Sequence, residues 1–277
     1  MQEVKSKLTA PELDQNYPVT ADQIASYQQD GHILLRGVAS QSEMEFYRPA
    51  IQGAAYRYNT ETRPLAERDT YGKAFLQVMN LWVKDEEVRR FVMARRFARI
   101  AAELMGVEGV RIYHDQALFK EPHGGPTPWH QDQYYWPLDT DKFVTLWMPL
   151  TDISVEMGPA TYATSSQKLG YLGKVPISDE SQAIFEKFIA NKELSLQLGS
   201  AMAAGDATFH AGWTLHGTPG NSTDRPREAM TIIYFADGAH ITEIDNKNRA
   251  DDLERWLPGL KTGDLAASQL NPLVYKK

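Results

Sequence analysis

A change of hydrophobic period near Gly109 constrains this chain more than any other feature. Upstream, apolar residues recur at helical spacing: Met44, Tyr47, Ile51 and Ala55 in one stretch, Val88, Phe91 and Val92 in a second, and Phe97, Ile100, Ala101 and Leu104 in a third. Downstream, the apolar segments are short, rich in β-formers and punctuated by Gly and Pro. Val110–Lys120, Phe143–Leu150 and Arg227–Phe235 read as strands, with 158–164, 196–198 and Ala207–Phe209 as weaker candidates. Asp179–Leu194 returns to a helical pattern, as an insertion over a sheet would. Parallel strands need a helical crossover at each step, and these strands lack one. The expected fold is therefore mainly β, an antiparallel barrel or jelly roll with the N-terminal helices packed outside it.

Local signals set the expected boundaries. Residues 1–19 are polar, contain two prolines and read as a loose arm. Thr20-x-x-Gln23 and Ser40-x-x-Glu43 are capping boxes that open helices. Gly31 ends the first helix, and the stretch HILLR at 32–36 reads as a short strand. Pro49 is expected to kink or divide the second helix. Residues 58–74 read as irregular, and 75–105 as helical throughout. The C-terminal part, with WLPGLKTGD and NPL, reads as a tail wrapped around the body. No stretch reads as a linker, so 1–277 is expected to form one domain.

Composition narrows the function classes. The net charge of −7 argues against a general nucleic-acid or anionic-membrane binder. The basic run Arg89, Arg90, Arg95, Arg96 and Arg99 is expected to be solvated helix faces. With no cysteine, disulfides, zinc–thiolate sites and a cysteine nucleophile are excluded. No apolar run approaches the roughly 20 residues of a membrane span, and the N-terminus has no secretory h-region. A cytoplasmic protein without an obligate protein partner is the expectation.

The stretch PTPWHQDQYYWP at 126–137 carries the chemistry. On an extended strand His130 and Asp132 share a face and reach one point. Two imidazoles and one carboxylate would suit a first-row metal such as Fe(II), leaving three coordination positions open. Spacing alone leaves the third ligand among His32, His114, His123, His210, His216 and His240.

What surrounds His216 is more specific. His216-Gly217-Thr218 leads to Asn221 and then to Arg225-Pro226-Arg227, with Arg227 eleven residues after His216. Together with the HxD motif, the opening DGHILLRG, the segment FVTLWMPLTDIS and the tail WLPGLKTGD, this pattern resembles the phytanoyl-CoA dioxygenase family over roughly residues 20–275. The resemblance implies a double-stranded β-helix (a jelly roll, cupin-like) and an Fe(II)/2-oxoglutarate-dependent oxygenase. It implies His130, Asp132 and His216 as iron ligands and Arg227 as the partner of the distal 2-oxoglutarate carboxylate. Arg225 is the rival, but it precedes a proline and belongs in a turn. By the same resemblance Thr218 touches that carboxylate and Trp147 lies near the cosubstrate. His210 reads as a packed or supporting histidine. The sequence departs from the family after the FVTLWMPL strand, where Gln167 stands in place of a usual histidine.

The implied reaction consumes 2-oxoglutarate and O2, releases succinate and CO2, and hydroxylates an unactivated C–H bond of a small organic substrate. An aspartate at 132 argues against halogenation, which needs a small residue there. Tyr134, Tyr135, Trp136, Trp213 and Lys120 are the candidate substrate contacts, with Asn80 and Trp82 as candidates for a cap. Two other readings stand beside this one: a non-catalytic jelly-roll ligand-binding relative, and a zinc hydrolase using the same three donors. The intact triad and Arg227 weigh against the first, since a degenerate copy should have lost at least one of them; in the second Arg227 has no role and no general base is evident.

Overall fold

In a computed structural model, residues 11–277 are described. Residues 1–10 of the expected arm lie outside that range. The rest of the arm is not loose: Leu13 is buried, its carbonyl accepts from the Arg96 backbone N–H (3.1 Å), and the Pro11 carbonyl accepts from the Tyr47 hydroxyl (2.6 Å). Both capping boxes form. Thr20 and Gln23 open α1 (Ala21–Asp30), which Gly31 closes at φ 79°, and Ser40 and Glu43 open α2 (Gln41–Tyr58). Pro49 lies within α2 without dividing it.

The stretch 75–105, expected to be helical throughout, begins instead with an edge strand, β2 (Leu76–Met79). A turn at Leu81–Val83 and the helices α4 (Glu86–Val92) and α5 (Arg95–Met105) follow; the short α3 (Thr70–Ala74) precedes it. The reason is tertiary. β3 (Gly109–Lys120) is long, and β2 pairs with its second half, from Leu76 opposite Phe119 to Met79 opposite Gln116. Asn80 then takes a left-handed turn at φ 49°, a conformation Asn tolerates. The buried Asp115 carboxylate accepts from the backbone N–H groups of Leu81 (3.0 Å) and Trp82 (3.3 Å).

Two antiparallel sheets form the jelly roll. The larger runs β1 (His32–Leu35), β8 (Ala207–Ala211), β5 (Phe143–Pro149), β10 (Arg227–Ala236), β3 and β11 (Leu273–Lys276), with β2 beside β11 on the outer edge of β3. The smaller runs β4 (Thr127–His130), β9 (His216–Thr218), β6 (Thr161–Ala163) and β7 (Leu196–Gln197). Every pairing is antiparallel, as the missing crossovers required. Among the described residues no helix is long and apolar enough to cross a membrane.

Strand alternation divides the larger sheet into two environments. Met230, Ile232, Tyr234, Leu146, Met148 and Phe209 join Phe91, Phe97 and Ile100 of the helices in the main core. The alternate residues, among them Arg227, Thr231, Trp147, Thr145, His210 and Gln116, line a cavity facing the smaller sheet. The helix α6 (Asp179–Asn191) covers the other face of the smaller sheet, placing Phe185 and Ile189 against Ala163 and Leu215. The C-terminal part is more than a tail. It folds α7 (Lys247–Trp256), whose Leu253 and Trp256 pack with Leu257 and Leu260 on Trp136 and Phe143.

Candidate metal centre and its cavity

The pairing registers bring histidines together from distant parts of the chain. Across the smaller sheet His130 stands opposite His216, and His216 opposite Tyr162. Across the larger sheet His32, His210, Thr145, Ile233 and His114 fall into one transverse row. Five of the chain's seven histidines therefore lie in two rows on facing sheets.

Asp132 sits between the rows. It is not on the strand, as the alternation argument assumed: β4 ends at His130, and Asp132 begins a 3-10 turn. Gln131 between them is still extended (φ −115°, ψ 123°), so the alternation carries one residue past the strand. Asp132 and His130 therefore share a side, and Gln131 points the other way. Its amide nitrogen donates to the carbonyls of Gly170 and Trp213 (2.8 Å each), and its oxygen accepts from the Leu172 N–H (3.1 Å).

The donor atoms of His130, Asp132 and His216 all lie within 4.8 Å of one another. Each histidine is fixed through its other nitrogen. His130 Nδ1 bonds the Pro128 carbonyl at 2.8 Å and His216 Nδ1 the Thr214 carbonyl at 3.0 Å. A carbonyl only accepts, so both Nδ1 atoms carry the proton and both Nε2 lone pairs are free. Those Nε2 atoms lie 3.4 Å and 3.7 Å from Asp132 Oδ1. Burial raises the Asp132 pKa, but His216, His130 and His210 outweigh it and hold the carboxyl well below its ordinary range. Burial, with His130 and His210 beside it, pushes His216 well below the ordinary histidine value. A neutral imidazole next to an ionised carboxylate is the donor set a divalent first-row cation takes.

A cavity of about 260 Å³ opens over these residues. Arg227 lies in its wall, 1% exposed, with its guanidinium carbon 5.2 Å from the centre of the Trp147 ring. Its Nη1 donates to the Gly158 carbonyl, and its Nε has no partner. Burial lowers its pKa to about 10. A buried guanidinium with an unused N–H, facing a cavity that also holds the metal-type donors, fits a carboxylate. Thr218 lines the same cavity, and its hydroxyl donates to Thr127 (2.9 Å). Arg225, the rival, is exposed in the turn before β10.

The candidate substrate contacts separate into two groups. Tyr135 and Trp136 line the cavity, and the Tyr135 hydroxyl accepts from the Ile177 N–H (2.9 Å) at its rim. Tyr134, Trp213 and Lys120 do not line it. Tyr134 turns toward α7, where its hydroxyl accepts from Asn248 (3.0 Å), and Trp213 packs on Tyr171 with ring centres 5.7 Å apart. Lys120, opposite Arg227 in the register, is fully buried and donates to the Gly125 carbonyl; burial, and then Arg227, lower its pKa to about 6. Asn80 and Trp82 are buried behind β3 and form no cap. Gln167 donates to the Gln28 and Gln29 carbonyls at the end of α1 (3.3 and 3.2 Å), away from the cavity.

Sequence reasoning missed the remaining walls. They include Tyr71 and Phe75 from the stretch read as irregular or helical, Gln77 and Met79 on β2, His114 and Gln116 on β3, and Asp252, Arg255 and Trp256 on α7. Burial raises the Asp252 pKa to about 7, and Asp252 accepts from the Tyr113 hydroxyl (2.9 Å). The signal for α7 was present: Asn246 caps it, and Leu253, Trp256, Leu257 and Leu260 recur at helical spacing.

Comparison with known proteins gives concordant matches. The family model for Phytanoyl-CoA dioxygenase (PhyH) matches residues 27–229. A "Probable alpha-ketoglutarate-dependent hypophosphite dioxygenase" from Stutzerimonas stutzeri is 26% identical over 174 residues, covering 59% of this chain and 58% of that protein. An ectoine dioxygenase from Bordetella parapertussis is 23% identical over 232 residues, covering 78% of this chain and 75% of that protein. Among solved structures, the non-heme alpha ketoglutarate dependent carbocyclase SnoK from nogalamycin biosynthesis superposes with a TM-score of 0.76 at 24% identity, over 93% of this chain and 97% of that one. This last likeness concerns the fold.

Proposed function

The chain belongs to the phytanoyl-CoA dioxygenase family, and from that premise we propose that it is an Fe(II)/2-oxoglutarate-dependent oxygenase that hydroxylates an unactivated C–H bond of a small organic molecule. One observation carries the reading. Three metal-type donors within 4.8 Å of one another and a buried guanidinium with an unused N–H open on the same cavity.

In this reading His130, Asp132 and His216 hold the iron, and Arg227 holds the distal carboxylate of 2-oxoglutarate through parallel hydrogen bonds. Iron with 2-oxoglutarate and O2 supplies the oxidant, with succinate and CO2 as the co-products. The protein's own part is placement and exclusion of water. Trp147 packs on the guanidinium and limits its orientations, and Thr218 borders the same end of the cavity. Tyr71, Phe75, Tyr135, Trp136 and Trp256 give the other end aromatic walls that exclude water around a substrate. The relatives named for ectoine and for hypophosphite differ widely in substrate, so the substrate is proposed only as a small molecule that fits these walls.

The test is anaerobic addition of Fe(II) and then 2-oxoglutarate to the metal-free protein. A visible charge-transfer band, followed by succinate on admitting O2, is expected. No band, and no succinate with a broad substrate panel, would overturn the reading.

A further inference from the structure

The two oxygens of Asp132 have different surroundings. Oδ1 faces the Nε2 atoms of His130 and His216, at 3.4 and 3.7 Å. Oδ2 accepts from the Thr145 hydroxyl at 3.0 Å and bonds His210 Nε2 at 3.2 Å. Thr145 and His210 are direct cross-strand partners on β5 and β8. The two donors to Oδ2 thus come as a unit from the larger sheet, while the two imidazoles facing Oδ1 come from the smaller one. Asp132 itself, in a 3-10 turn, has no strand partner to fix its side chain.

His210 bears a cost that its packing does not explain. It is 3% exposed, and its Nδ1 has no hydrogen-bond partner. To donate to Asp132 it must carry its proton on Nε2, which leaves Nδ1 as a bare buried acceptor. A phenyl ring of similar size would fill the space beside Tyr162 and His216 without that penalty. What an imidazole gives here, and a phenyl ring does not, is the bond to Asp132.

We propose that His210 and Thr145 are positioning residues: they hold Asp132 by Oδ2 and present Oδ1 alone to the metal. They occupy the lone pairs that would let the carboxylate turn or bind through both oxygens. The inference rests on the metal reading above and adds a role for two residues that are not themselves ligands.

The experiment uses Co(II) alone, without 2-oxoglutarate, on metal-free full-length protein. Affinity is measured by titration calorimetry, coordination by the visible Co(II) absorption, and stability by thermal unfolding. His210→Phe is expected to weaken Co(II) about 10- to 100-fold, the usual effect of losing a ligand's supporting bond. It should also change the Co(II) spectrum and leave the Tm equal to or above that of the wild type. Thr145→Val should act in the same direction more weakly, and it carries the test if His210→Phe does not fold. His210→Gln and Thr145→Ser, which retain a donor, should recover most of the loss. His210→Phe or Thr145→Val with wild-type affinity and spectrum would overturn the inference while leaving the metal reading intact. So would a loss that follows the Tm and is the same in His210→Gln as in His210→Phe. A wild-type chain that binds no Co(II) would overturn the metal reading, and this inference with it.

Discussion

Along β10, Met230, Ile232 and Tyr234 face the helices, while Arg227, Ala229 and Thr231 face the smaller sheet. β5 divides in the same way, with Val144, Leu146 and Met148 on the helix side and Thr145 and Trp147 on the cavity side. The helix side is apolar except for Asp115, whose carboxylate serves the turn at Leu81–Trp82, and Glu228, whose carboxylate accepts from Arg48 and Gln52 of α2. The cavity side carries a guanidinium, two histidines and several hydroxyls and amides. Three of its buried polar atoms, Arg227 Nε, His210 Nδ1 and His114 Nδ1, have no protein partner. One set of strands therefore holds a face that stabilises the fold and a face that costs stability. The second is tolerable because the first is so thoroughly buried.

The sharpest way to break this contrast is to treat the faces as interchangeable. Asp132→Ala is expected to abolish Fe(II) binding and succinate formation while costing less stability than a truncation in the apolar core. Calorimetric metal titration and urea unfolding of the same sample check both halves. On the helix side, Phe209→Ala should do the reverse. Its fully buried ring should cost about 3–5 kcal/mol of stability, read from urea unfolding, with metal affinity unchanged in the folded protein. Arg227→Ala comes next. Losing charge-assisted hydrogen bonds worth about 1.5–3 kcal/mol should weaken 2-oxoglutarate about 10- to 100-fold, followed by the charge-transfer band, with Fe(II) affinity kept.

The remaining effect depends on pH. Burial lowers the Lys120 pKa from 10.5 to about 6 in the folded state. A base with a depressed folded pKa gives its full stability only above the unfolded value, and loses it as pH falls through the folded one. Lys120→Met should therefore raise the Tm, most at pH 6, with the gain shrinking steadily toward pH 9.5. A gain that is flat across that range would mean that Lys120 is not held neutral by burial.

The contrast also explains what could be read from sequence. The helix face and the strands that bear it were legible because apolar alternation is local. The jelly roll followed from strands without crossovers, while His130, Asp132, His216 and Arg227 as a set were implied by the family resemblance, because spacing alone left the third ligand open. β2 was not legible. Leu76–Met79 is a strand because the long β3 leaves an edge to pair, and that edge lies some forty residues away. The transverse row of His32, His210, Thr145 and His114 was invisible for the same reason, since register is a property of pairings and not of segments. α7 had a readable stripe, but Pro258 and Gly259 just beyond it made the whole tail look irregular.

Gln131, the middle residue of the HxD motif, ties the two sides of the site together. Its three hydrogen bonds hold the chain at Gly170, Leu172 and Trp213, while its neighbours on either side are the proposed ligands. Residues 170–177 lead to Ile177 on the cavity rim. Two of these bonds hold that segment, and at about 1 kcal/mol for each it would be released in only on the order of one molecule in thirty. The rim and the proposed ligands are thus tied to one side chain, so a substitution of Gln131 would reach both at once.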